Sequence, residues 1–463
     1  MLRLRTVLPG ILAIAMVALL NAGCGSPSEE VAVGELKRPN LILISIDTLR
    51  ADFLGCYGYD RPTSPSIDRF AAQGVLFEDV TAPSPWTPPS HASMLTGLYP
   101  NHHGLKPKDH KMMRDAIRTD TRTLAEVLQE RGYRTGAFLS STILRGDSGF
   151  ARGFDDFVSI NHGVERAQPS GVRKRAEAWL KKARGDTPFF LFLHFYDVHS
   201  DYRSLPRYEK MFLHPYDGIA DGSTKQLLSV RNGDIPFGKA DADHTIDLYC
   251  AGIRQMDDQF DRLMKYLDKL RLSESTVVIL TSDHGEEFLE HGSVLHGRSL
   301  FEELVRVPLI VRGPGLPQGT RLSAPVSLVD IMPTVLSLLD VTFTEPLDGI
   351  DLAPLWGGDS APAVEPRFLF AEADWGNENP DIKRAVRHGN HKLHYDRDTG
   401  RTELYNLAQD PGERTDIAEG SPDIVATLRA RLDEFMESAL SGPLAPEWTP
   451  EELEELESLG YLE

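Results

Sequence analysis

Asn40-Leu41-Ile42-Leu43-Ile44-Ser45-Ile46-Asp47 is an apolar run that stops at a carboxylate. It lacks the strict polar alternation of a half-wet strand, so it reads as a strand covered on both faces, as in a parallel sheet. Two more stretches repeat the pattern. FFLFLHF at 189–195 runs on to Asp197, and TVVIL at 276–280 runs on to Asp283-His284. Residues 307–311 supply a fourth candidate. Acidic and imidazole residues therefore gather just past strand ends, which is the edge where an open α/β sheet binds its ligands.

Between these runs the apolar residues change to helical spacing. Segments 121–132, 171–183, 246–270 and 329–339 each place them on one face. The alternation predicts an α/β fold with a mainly parallel central sheet flanked by helices, spanning residues 38–357. Small residues and prolines around 357–366 mark a boundary. Beyond it, 366–441 reads as a small C-terminal antiparallel sheet (367–372, 383–387, 391–395) under a helix at 423–439. Residues 442–463 form an acidic tail with a leucine spacing that fits a short docking helix. The connection 201–242 has poor periodicity and is placed over part of the site.

The ends and the charge narrow the setting. Arg3 and Arg5 precede an apolar run and then Ala22-Gly23-Cys24, the layout of an export signal over residues 1–24. It is short against the roughly 20 residues of a spanning helix. A bacterial lipoprotein cleavage site has the same small residues before its cysteine, so Cys24 is the expected lipid anchor, residues 25–37 a tether, and the periplasm or cell envelope the location. The 463 residues carry 49 Lys and Arg against 69 Asp and Glu, a formal charge of -20. Such a surface repels polyanions, which sets nucleic acid aside as a partner. Cys56 and Cys250 are too far apart in sequence to define a disulfide framework.

Asp47, Asp283 and His284 offer oxygen and nitrogen ligands from two strand ends, suited to a divalent metal: Ca²⁺, Zn²⁺, Mg²⁺ or Mn²⁺. TPPSHASMLTG at 87–97 reads as a short helix entered through proline. Its positive end favours an anion. A hydroxyl at that end, Thr87, is either a helix cap or a metal-activated nucleophile. Ser90 faces the same end, and Arg50 is either a charge for the substrate or a structural pair.

Five stretches resemble the sulfatase family, within the alkaline-phosphatase-like hydrolases: residues 40–57 (NLILISIDTLRADFLGCY), 87–97, 281–287 (TSDHGEE), 296–308 (HGRSLFEELVRVP) and 403–410 (ELYNLAQD). The resemblance runs along nearly the whole mature length. It implies that Asp47, Asp283 and His284 hold a metal that Thr87 also touches, and that Thr87 stands at the nucleophile. His91 stands where most sulfatases have arginine, and His296 where a lysine is often found. His199 resembles the histidine after the central strand. These three histidines are expected to contact the anion or to protonate the leaving oxygen.

The departures direct the substrate expectation. Sulfatases usually oxidise a cysteine or serine at position 87 to formylglycine, and threonine would give a ketone, so no formylglycine is expected. Thr48 replaces a common second aspartate. Leu139-Ser140-Ser141-Thr142 replaces an expected lysine–histidine pair. Unmodified threonine serves phosphoesterase relatives of the superfamily, often with two metals, and Asp197 and Asp201 are candidates for a second site. The expected reaction is therefore hydrolysis of an anionic ester, a phosphate mono- or diester before a sulfate ester, on a glycan or envelope lipid. Phosphoryl transfer and non-catalytic binding of sulfated glycans are the alternatives.

Overall fold

The computed structural model describes residues 38–106, 115–159, 171–357, 366–374, 383–443 and 446–458. The export signal at 1–24 and the tether at 25–37 lie outside the described residues, as do parts of the 357–366 boundary and of the tail. Described residues from Arg38 onward form one compact unit.

Eight strands make the central sheet, in the spatial order Thr320–Leu322, Val75–Phe77, Leu309–Arg312, Thr276–Thr281, Asn40–Ile46, Phe189–Phe195, Arg134–Leu139 and Asp156–Ser159. Asn40–Ile46 sits between two parallel partners, Phe189–Phe195 and Thr276–Thr281, and every one of its residues is buried. That double coverage is why its sequence shows no polar face. The fourth expected strand begins later, at Leu309, and runs antiparallel to Thr276–Thr281. Two large apolar cores fill the two faces. One includes Leu41, Leu43, Phe190 and Phe192, the other Ile42, Ile44, Leu191 and Leu193, the alternation that a pleated strand imposes.

Helices Gly171–Ala183 and Lys239–Leu270 cover the second face, the latter starting well before residue 246. Leu124–Glu130 starts later than the periodic stretch, because Thr123 caps it with a capping box: its hydroxyl accepts the Glu126 N–H and the Glu126 carboxylate accepts the Thr123 N–H. Such a cap is worth about 1 kcal/mol. The connection 201–242 contains two helices, Pro206–Phe212 and Thr224–Arg231. Their three apolar anchors, Tyr208, Phe212 and Leu227, are too few for a periodic signal.

The C-terminal sheet has four antiparallel strands, Phe368–Ala373, Lys383–His388, His391–Asp396 and Thr402–Asn406, under helix Pro422–Glu437. The strand at 402–406 is one more than the sequence pattern gave. Buried charge pairs fasten this sheet to the large one. Arg387 holds Asp79 with two bonds of 2.6 and 2.5 Å, and Lys392 Nζ lies 2.8 Å from Glu302 and 3.1 Å from Glu413.

Candidate active site

Asp47 follows the central strand, its amide donating to Phe195 O at 2.8 Å across the sheet edge. Asp283 and His284 follow the adjacent strand. Parallel register sets Ser45 opposite Thr281 and opposite His194, so three strand ends arrive together. Thr48 turns the chain at φ 54, which lets its amide reach Asp283 Oδ1 at 3.3 Å. The His284 amide binds the same oxygen at 3.0 Å. This leaves Asp47 Oδ1 and Asp283 Oδ2 buried with no hydrogen bond.

Thr87 is the first residue of the helix Thr87–Thr96, and Trp86 before it takes the cap position in an extended conformation. The cap reading of Thr87 therefore gives way. Its hydroxyl lies 3.2 Å from His284 Nε2. His284 Nδ1 sits 3.0 Å from Gly285 O and so carries the proton, leaving an Nε2 lone pair towards Thr87. His284 Nε2 is also 3.7 Å from Asp47 Oδ1 and 3.6 Å from Asp283 Oδ2.

The electrostatics follow from burial. Asp47 is pushed well above the carboxylate range by burial and then by Asp283. Burial also raises Asp283, but His284, His91 and His194 outweigh it and hold this carboxyl low. Burial lowers His284, and the two carboxylates overcome that and raise it. Two buried carboxylates with orphaned oxygens beside a lone-pair imidazole are costly without a cation. Asp47, Asp283 and His284 form a buried group whose ligating atoms are mutually close, and His91, His194 and Asp283 form a second that shares Asp283. The donor set fits a divalent metal.

His91 is placed differently from the sequence expectation. Its ring is fully buried, with Nδ1 2.8 Å from Thr87 O and Nε2 3.0 Å from Ser45 Oγ. Burial and then His194 bring it down to about 3. It is a neutral brace behind the helix start. Ser90 donates to Asp283 O at 2.7 Å and supports the ligand loop; it is not turned to substrate. For Arg50 the structure decides between the two readings. Its guanidinium is spent on Asp52, on Glu286 O at 2.9 Å and on Glu290 at 2.5 Å, which makes it a structural pair.

His199 and His296 do converge on the site. His296 lies 4.5 Å from His284 and 4.9 Å from His199, ring centre to ring centre. Burial lowers both rings, reinforced by His296 for His199 and by His284 for His296. Asp197 and Asp201 join no group of three ligating residues among those described. Asp201 accepts the Thr224 amide at 2.6 Å and builds its loop, and burial lifts Asp197 to about 7. The second-metal assignment to these two is therefore corrected.

Sequence reasoning passed over two residues. His194, quoted only as a strand residue, places Nε2 3.2 Å from Asp47 Oδ2. Its polar interruption of FFLFLHF was the available signal. Glu286, which stands in the acidic run of TSDHGEE, is fully buried, accepts from Tyr202 at 2.7 Å and lies 2.8 Å from His296 Nδ1. The residues after it form a short strand, Glu287–Phe288, rather than a helix.

Residues 39–341 match the sulfatase family profile, and 290–438 match that of the N-sulphoglucosamine sulphohydrolase C-terminal region. An ulvan-active sulfatase of Formosa agariphila is 25% identical over 88% of this chain and 82% of its own length. An N-acetylglucosamine-6-O-sulfatase of Bacteroides thetaiotaomicron is 24% identical over 88% of this chain and 87% of its own. The solved structure of a protein in complex with its substrate D-glucosamine-2-N,6-O-disulfate superposes with a TM-score of 0.72 at 21% identity, covering 87% of this chain and 98% of that one. These findings overturn the expectation of a phosphate mono- or diester. Threonine at position 87 had carried that expectation, and one residue weighs less than a match over most of the chain.

Proposed function

The chain belongs to the sulfatase family of ester hydrolases, and from that premise we propose that it hydrolyses a sulfate ester on an anionic glycan, with Thr87 as the attacking residue. The observation that carries this reading is the Thr87 hydroxyl facing the His284 lone pair, beside two carboxylate oxygens without hydrogen bonds. The names of the relatives in the preceding comparison support a sulfated sugar as the substrate.

Asp47, Asp283 and His284 would hold the divalent ion. Bound there, it would supply positive charge for the ester oxygens and lower the cost of ionising the threonine hydroxyl. The chain's own residues do the rest. His194 holds Asp47, and His91 and Ser90 hold the helix start and the ligand loop. Glu286 accepts from His296 Nδ1 and fixes its tautomer, so that the other ring nitrogen is free to face an anion. Thr87 Oγ1 bonds to sulfur as the bond from sulfur to the sugar oxygen breaks. The threonine proton passes to the free ring nitrogen of His296 or His199, since His284 Nε2 would be taken by the ion, and one is returned to the sugar oxygen. Water then attacks the sulfur of the threonine sulfate, which releases sulfate and restores the hydroxyl. Without the second hydroxyl of formylglycine, this last step must break an ordinary ester and is expected to be slow.

The test is release of inorganic sulfate from 6-O-sulfated N-acetylglucosamine and 2-O-sulfated hexuronates by the metal-loaded protein. Thr87→Ala is expected to lose about a thousandfold or more in kcat, and Thr87→Ser to keep most of it. Undiminished turnover in Thr87→Ala would remove the covalent step, and no sulfate from any sulfated sugar would remove the reading. The envelope location with Cys24 as its lipid anchor belongs to the same proposal, supported by the leader-like sequence at 1–24, and is checked by mass spectrometry of the mature N-terminus.

A further inference from the structure

Trp86, Ile143, Tyr196, Trp448 and Leu456 form a buried cluster separate from the two cores that flank the sheet. Two of the five border the proposed chemistry. Trp86 immediately precedes Thr87, and the Tyr196 ring lies on that of His199 at 4.2 Å and 20°. Two others come from the end of the chain. Trp448 and Leu456 are 8% and 0% exposed, the second on helix Pro450–Ser458.

Trp448 shares the walls of a small pocket with Trp86 and Pro88, the two neighbours of Thr87. The Arg145 guanidinium lies 4.0 Å from the Trp448 ring centre while it pairs with Asp147. Helix Pro450–Ser458 has nine residues and is acidic, with Leu456 as its buried anchor among the described side chains. A helix that short is marginal alone in water, so docking is what orders it.

We propose that residues 446–458 act as a clamp on the active site, with Trp448 as a positioning residue. The tail presses Trp86 against the start of the Thr87 helix and backs the Tyr196–His199 stack, setting the distance between attacking hydroxyl and anion-facing imidazole. The two large cores hold the fold without these five residues, so the clamp acts on alignment more than on stability. This inference rests on the roles proposed above for Thr87 and His199.

The experiment compares full-length, metal-loaded wild type with Trp448→Ala, Trp448→Phe and Leu456→Ala on the sulfate ester that the wild type turns over. Misplacement of a reacting group by about 1 Å costs on the order of a hundredfold, so kcat of Trp448→Ala is expected to fall between about 10-fold and 100-fold. KM and bound metal stay at wild-type values, and Trp448→Phe recovers most of the rate. Hydrogen exchange should accelerate at residues 84–90 and 195–200 while the central strands keep their protection. An unchanged kcat in Trp448→Ala, or a loss matching the loss of folded protein, overturns the clamp. If the wild type cleaves no sulfate ester, the function reading fails on its own, and unaltered exchange in both segments overturns the clamp independently.

Discussion

Asp47 Oδ1 and Asp283 Oδ2 are buried without hydrogen bonds, while each partner oxygen is held by a neighbour. That asymmetry aims one oxygen of each carboxylate at a common point. His194 does the aiming for Asp47 through a 3.2 Å contact, and its own ring is brought down to about 4 by burial, so it stays neutral at physiological pH. An outer partner of this kind typically contributes 10-fold to 100-fold in metal affinity. His194→Ala is expected to weaken metal binding by about that factor, read by titration calorimetry, with the fold intact by circular dichroism. Unchanged affinity would show that Asp47 needs no such support.

The helix Thr87–Thr96 is buried along its entire length, which a surface helix never is. Extended Trp86 and prolines at 88 and 89 start it, and Gly97 ends it at φ 69 with its amide on Ser93 O. His103 braces it from the next short helix, Pro100–His103. Its Nδ1 accepts the Leu105 amide, so Nε2 carries the proton and donates to Pro89 O at 3.2 Å. Burial pushes this ring down to about 3, against 6.5 in the unfolded chain. Between those values the unfolded state binds the extra proton, so stability from His103 is complete above pH 6.5 and falls as the pH drops. The slope is about 1.4 kcal/mol per pH unit. His103→Asn should flatten the pH dependence of denaturant unfolding by about that slope between pH 6 and 4, and an unchanged profile would mean that the ring is not held neutral.

At the scale of the molecule, the same sheet edge gathers carboxylates that a chain of formal charge -20 must neutralise locally. A divalent ion binding only the folded state adds stability by mass action, about 2.7 kcal/mol at a hundred times its dissociation constant. Chelation is expected to lower Tm, and Ca²⁺, Mg²⁺, Mn²⁺ or Zn²⁺ to restore it with a dependence on concentration. A Tm indifferent to chelator and to all four ions would contradict a metal at Asp47, Asp283 and His284. Lys392 is a separate control. Removing it takes the ammonium from Glu302 and leaves buried Glu413 with His394 and the Glu302 amide alone, which should cost about 3 kcal/mol, without altering metal affinity.

The apolar runs at 40–46 and 189–195 were legible because a strand covered on both faces needs no polar residue, and burial leaves that mark in composition. Asp47, Asp283, His284 and Thr87 were legible as chemistry because they interrupt or follow such runs. Their sharing of one site followed from the family resemblance, whereas the supports behind them did not, since parallel register joins residues as distant in sequence as Ser45 and Thr281. Ser90 read as a substrate contact and Arg50 as either that or a structural pair, and the Asp283 carbonyl, Asp52 and Glu290 are what hold them. His194 and Glu286 gave the opposite error, hidden in an apolar strand and in an acidic run. The phosphate expectation failed for a related reason, because one threonine was weighed against a whole family pattern. Sequence determined which segments could be strands and which side chains could ligate. Tertiary structure decided which of those side chains were already satisfied by neighbours, because hydrogen bonds and desolvation depend on distance through space and not along the chain.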